Sequence, residues 1–176
     1  MRTFISVQRM PSWMLLLLFV SAVVPILIIF GVGYNEYTLY RETGEISPEL
    51  EEMLQALVII LITYISIYFV LFLPPLKVRI NHEGIHYFCF PYLRKGKSIS
   101  WQEIKNVEIV HVNPLGDFGG WGYRATWKGN KGYILKSGPA IKIERKASDK
   151  TMTLTINQAE QAQRVLNHYL QKQEAQ

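Results

Sequence analysis

Two long stretches without a charged residue constrain this chain more than any other feature. No Asp, Glu, Lys or Arg lies between Arg9 and Glu36, where Trp13 to Val32 reads WMLLLLFVSAVVPILIIFGV. The second stretch runs from Met53 to Leu76 around ALVIILITYISIYFVLFL. A bilayer core about 30 Å thick is crossed by about 20 helical residues, so both are expected to span, over 13–33 and 54–73. Pro25 removes one hydrogen bond inside the first helix, and Pro74 and Pro75 stop the second. Ser47 suits an N-cap and Pro48 the first helical position, with Glu49, Glu51 and Glu52 at the positive helix end. A cleaved signal sequence is the competing reading of the first stretch. Its apolar run is too long for that, and no A-x-A-like site follows it.

The distribution of Lys and Arg predicts an orientation. Arg2 and Arg9 precede the first span, and Lys77 and Arg79 follow the second, whereas the connection 34–53 holds only Arg41 beside six glutamates. The positive-inside rule then places both termini in the cytoplasm and the acidic connection outside. Trp13 at one end and Tyr34, Tyr37 and Tyr40 at the other suit interfacial anchoring. Tyr64 and Tyr68 mark either a helix-packing face or lipid-facing aromatics. Residues 77–176 carry 16 Lys and Arg against 8 Asp and Glu, a net charge of +8, favourable beside an anionic leaflet. The positive charge is scattered and no nucleic-acid recognition motif accompanies it, so the bilayer is the expected partner and nucleic acid is not.

From Lys77 the pattern alternates. Met152, Leu154 and Ile156 share one face of a run whose other face is threonine, and Ile141 and Ile143 alternate with Lys142 and Glu144. Further short strands are expected at 77–81, 85–90, 97–100, 107–112, 123–127 and 133–136, separated by turn residues. Asn157 with Glu160 reads as a helix start, and Ala162, Val165, Leu166, Tyr169 and Leu170 form one apolar stripe. The expected class is therefore α+β: a two-helix transmembrane hairpin in a membrane anchor 1–76, then a domain 77–176. That domain is an antiparallel β-barrel or sandwich capped by one C-terminal helix.

Strands closed by one helix in about 100 residues are the architecture of a pleckstrin-homology (PH) domain. Asn81-His-Glu-Gly-Ile85, Ile99-Ser-Trp-Gln-Glu-Ile104 and the stretch Pro114 to Arg124, with GGWGYR over 119–124, resemble bacterial PH-domain-containing two-span membrane proteins. The resemblance implies a PH-like barrel on a multi-pass protein of the cell (inner) membrane and leaves activity open. It supports a membrane-anchored, non-catalytic binding or scaffold protein that engages a protein partner or a second copy of itself.

Several residues invite chemistry. His82-Glu83-Gly84-Ile85-His86 matches H-E-x-x-H, which on a helix builds a zinc protease site and offers the alternative of a zinc-dependent membrane metalloprotease. On a strand the two histidines would lie about 13 Å apart, and the β-rich flanks with Gly84 inside favour a hairpin. Glu103, Glu108 and His111 are available as a third ligand. Gly120 to Ala125 fits G-x-G-x-x-A without a following helix, and Asp117-Phe118-Gly119 spells D-F-G without other kinase elements. The cluster Gly116, Asp117, Phe118, Gly119, Gly120, Trp121 and Arg124 reads instead as a bend and a candidate protein-contact loop. Arg94, Lys95 and Lys97 are candidate contacts for anionic lipid, the basis of a further alternative, an anionic-lipid-responsive regulator. Phosphoinositide recognition of the eukaryotic PH kind uses basic residues around the first hairpin, where this chain has Asn81-His82-Glu83-Gly84. The single cysteine, Cys89, excludes a disulfide framework and a Cys-based zinc cluster and reads as a core residue. His111 and His168 read as structural. No catalytic residue, metal or cofactor is expected.

Overall fold

The computed structural model describes residues 2–72, 75–127 and 129–174. The chain is α+β and divides into a helical unit, 11–73, and a β unit built from 1–10 and 74–176.

In the helical unit, α1 spans Ser12–Thr43 and α2 spans Pro48–Leu71, and both are long and apolar enough to cross a membrane. α1 runs past the predicted span because nothing in Tyr34 to Thr43 breaks a helix. The expected 20-residue connection thus shrinks to Gly44–Ser47, with Gly44 as C-cap. Ser47 caps α2 as predicted: its Oγ accepts from the Leu50 amide at 3.2 Å and donates to Glu36 Oε2 at 2.9 Å. α2 ends at Leu71, before Pro75, while Pro74 lies outside the described residues. Tyr64 is half-buried and reaches α1 through its hydroxyl, whereas Tyr68 is exposed and stacks on Phe72.

The β unit contains two sheets. In the first, β1 (Phe4–Gln8), β2 (Leu76–Ile80), β3 (Gly84–Cys89) and β4 (Lys97–Ser100) are antiparallel neighbours in that order. In the second, β5 (Ile104–Val112), β6 (Gly122–Ala125), β7 (Lys131–Ile134), β8 (Gly138–Arg145) and β9 (Ser148–Thr155) take the order β5-β8-β9-β7-β6. A short helix α3 (Pro114–Phe118) joins β5 to β6, and α4 (Ala159–Glu174) closes the chain.

Two corrections follow. The N-terminal residues assigned to the anchor supply β1, whose inward Phe4, Ser6 and Gln8 are buried while Ile5 and Val7 face out. That alternation is period two, but five residues ahead of a long apolar run carry it too briefly to stand out. The sheets are also not wholly antiparallel, since β7 pairs with β9 in parallel, Tyr133 opposite Leu154. The other strands fall within a few residues of their predicted places; Trp127, predicted in a strand, is fully exposed beyond β6.

One core joins these parts. Leu76, Val78, Ile80, Ile85 and Ile99 from the first sheet meet Ile141, Ile143 and Leu154 from the second, all fully buried. The α4 stripe of Ala162, Val165, Leu166 and Tyr169 is buried against this cluster as expected, with Tyr169 stacked on Trp101 at 5.4 Å. Each fully buried side chain of this kind contributes about 1.5–3 kcal/mol relative to exposure. Asn157 does not cap α4. Its side-chain amide donates instead to the Val7 carbonyl, and the helix starts with Ala162 N–H bonded to the Gln158 carbonyl.

Candidate ligand-binding cavity

Inward alternation along β3 and β7 buries Tyr87 and Tyr133, while Tyr123 on β6 and Tyr92 in the β3–β4 connection are less covered. These rings form a chain: Tyr92 to Tyr123 at 6.0 Å, Tyr123 to Tyr133 at 5.1 Å and Tyr133 to Tyr87 at 5.6 Å between centroids. All three pairs are tilted, as ring quadrupoles favour. Gly122 permits the approach of Tyr92. It holds φ at 91°, and a Cβ there would lie 2.9 Å from the Tyr92 hydroxyl oxygen.

Above this aromatic floor is a cavity of about 510 Å³, within the range of small-molecule sites. Lys97, Lys131, Arg145 and Lys150 line it, with Ser98, Ser148 and Thr151, and among the described residues no carboxylate belongs to the lining. Among the described residues no ion pair engages these four cations. Burial pushes the Tyr133 phenol upward, reinforced by Tyr87 and Tyr123. Burial also raises Tyr87, and the Arg145 guanidinium partly offsets it through charge and a hydrogen bond. Both phenols therefore stay protonated at neutral pH and are available as donors. The cavity can hold an anion beside tyrosine rings.

The predicted basic hairpin is divided by the fold. Lys97 lines the cavity, whereas Arg94 and Lys95 are exposed outside the lining. The glycine-rich loop lies outside it too and is a folded element. Asn113 caps α3, its Oδ1 accepting from the Leu115 and Gly116 amides, and Asp117 accepts from the Asn113 amide at 2.7 Å. Gly119 is the C-cap, Phe118 packs over Gly132, and the Arg124 guanidinium lies over Gly120. Trp121 is half-buried. β6 follows this loop directly, so Gly120 to Ala125 lacks the helix that a dinucleotide loop needs.

His82 to His86 is a hairpin, and the helical geometry of the zinc motif is absent. Asn81 organises the turn: its Oδ1 accepts from the Glu83 and Gly84 amides at 3.1 and 3.2 Å and lies 3.0 Å from His86 Nε2. Glu83 Oε2 sits 3.3 Å from His86 Nε2 and accepts from the Asn81 side-chain amide at 3.3 Å. Glu108, offered as a third ligand, pairs with Lys142 at 2.9 Å, and its hydrogen bond, with a smaller contribution from its charge, raises the Lys142 pKa. Among the described residues no group of three His, Cys, Asp or Glu side chains could hold a metal ion. Cys89 is buried, and burial pushes its thiol up to about 11, the opposite of what a nucleophile requires. His168 makes an edge contact with Tyr169 at 5.2 Å.

Sequence reasoning missed Tyr87, Tyr92, Tyr123, Tyr133, Lys131, Arg145 and Lys150. The available signal was tyrosine on alternating strands with cations at the strand ends. Comparison with protein-family models, with curated proteins and with solved structures finds no match for this chain.

Proposed function

We propose that this protein is a two-span membrane-anchored, non-catalytic binding or scaffold protein, with its PH-like β unit in the cytoplasm. The two apolar helices and the excess of Lys and Arg flanking them support insertion with both termini inside. Two sheets closed by one C-terminal amphipathic helix support the PH-like reading. The observation that carries the binding role is the cavity, whose lining supplies cations, hydroxyls and aromatic faces. The folded glycine-rich loop at the end of β5 offers a separate rigid protein-contact surface. Lys97 in the cavity lining favours the lipid-responsive form of this reading over one based on Arg94 and Lys95.

Crosslinking in intact membranes followed by affinity capture tests the role. A defined oligomer or a specific enriched partner is expected; a clean monomer with nothing enriched overturns the scaffold reading. Impermeant maleimide should label Glu45→Cys from outside intact cells and leave Lys146→Cys unlabelled. The reverse pattern overturns the orientation.

A further inference from the structure

We propose that the cavity between β3 and β4 of the first sheet and β6 to β9 of the second is a binding site for a phosphate monoester attached to an apolar group. The inference rests on the binding role above and names the chemistry of its ligand.

Four cations converge on one concave space from four different strands: Lys97 from β4, Lys131 from β7, Arg145 from β8 and Lys150 from β9. Like charges brought together without a carboxylate repel one another, and a bound anion relieves that repulsion. A monoester phosphate carries between one and two negative charges near neutral pH and three acceptor oxygens, which suits several donors better than a single carboxylate does. Arg145 adds a planar fork that matches two phosphate oxygens, and lysines supply point charges around it.

The other half of the cavity dictates the other half of the ligand. Of the lining tyrosines, Tyr87 and Tyr133 are buried, whereas the rings of Tyr92 and Tyr123 keep exposed surface that inorganic phosphate alone would leave uncovered. A planar or hydrocarbon body packs against those two rings and gains their burial. A nucleic-acid strand combines the same two chemistries, but it needs a groove that tracks a backbone. Here the cations meet in one cavity of about 510 Å³, the size of a single small ligand. The start of β9 that presents Lys150 is held by the Lys150 amide donating to Ser148 Oγ at 3.2 Å and the Thr151 amide donating to Asn130 Oδ1, in the β6–β7 connection, at 3.0 Å.

The phosphate could come from a lipid headgroup or from a soluble ester, and the test separates them. Full-length protein in phosphatidylcholine nanodiscs is titrated with phenyl phosphate, inorganic phosphate and phenol, followed by calorimetry. Phenyl phosphate is expected to saturate one site at least about tenfold more tightly than either fragment. Lys97→Gln and Lys150→Gln, both at exposed positions that the fold does not need, should each weaken it by about tenfold, while Lys105→Gln on β5 leaves it unchanged. Nanodiscs containing phosphatidic acid should compete if the source is lipid and leave phenyl phosphate binding intact if it is soluble. No saturable binding of phenyl phosphate, binding no tighter than that of inorganic phosphate or phenol, or an affinity unchanged from the native protein in the two cavity variants overturns the proposal. A monomer without partners in the crosslinking test, with phenyl phosphate still bound, would remove the scaffold role and leave this site standing.

Discussion

The Tyr64 hydroxyl donates to the Ser21 carbonyl at 2.8 Å, the acceptor that Pro25, four residues later, leaves without its helical amide. A proline in a helix orphans the carbonyl one turn before it, and in apolar surroundings no water replaces the lost donor. Here the neighbouring helix supplies the donor from a side chain. Tyr64→Phe should destabilise the helix pair by about 0.5–1.5 kcal/mol, measured by denaturant titration in micelles. Pro25→Ala restores the amide, so in that background the Tyr64→Phe cost should fall towards zero. A full cost in both backgrounds would show that the hydroxyl does something else.

The N-terminal strand is expected to be structural for the β unit. Asn157 donates its backbone amide to Ser6 Oγ at 3.1 Å and its side-chain amide to the Val7 carbonyl at 2.8 Å, tying β1 to the start of α4. Asn157→Ala should cost about 1–2 kcal/mol in a urea titration. Phe4→Ala, which empties a fully buried site, should cost about 3–5 kcal/mol. If both were neutral, β1 would not be held in the folded unit.

Gly84→Ala should be severe. Gly84 holds φ at 148°, and a Cβ there would lie 2.1 Å from the Ile99 carbonyl oxygen on the paired strand β4. Backbone strain of about 1–3 kcal/mol adds to the loss of that pairing, read as lowered Tm of the β unit. His86→Ala is a milder change, losing only the contacts to Asn81 and Glu83. It should leave the zinc content of the purified protein unchanged. Stoichiometric zinc that disappears in this variant would contradict the hairpin account.

Stability should fall in alkali. Burial raises the Cys89 thiol from 9.0 to about 11 and raises the Tyr87 phenol above 10.0. A group with a raised folded pKa holds its proton more tightly when folded. Its contribution is therefore complete below the unfolded value and is lost as pH climbs from there through the folded value. Urea midpoints should hold steady at pH 7–8 and decline between about pH 9 and 11, with a slope of at most about 1.4 kcal/mol per pH unit for the thiol. Cys89→Val should flatten that decline. The native thiol should also react slowly with aromatic disulfides at pH 8 and rapidly once unfolded.

Local pattern carried much of this protein. Two uncharged apolar runs fixed α1 and α2, the Ser47-Pro48 pair marked where α2 begins, and alternation located most strands. The stripe on α4 named the residues that face the core. Such readings succeed because helices and strands bury one face at a fixed period, which any window of the chain displays. That period says nothing about which strand lies beside which. Only tertiary structure joined β1 to β2 across α1 and α2, set β7 parallel to β9, and turned Asn157 from the α4 start towards β1. The candidate site was legible only through Lys97, because its other cations and tyrosines come from strands far apart in sequence. Their convergence depends on how two sheets pack, a property of non-local pairing that no segment contains by itself.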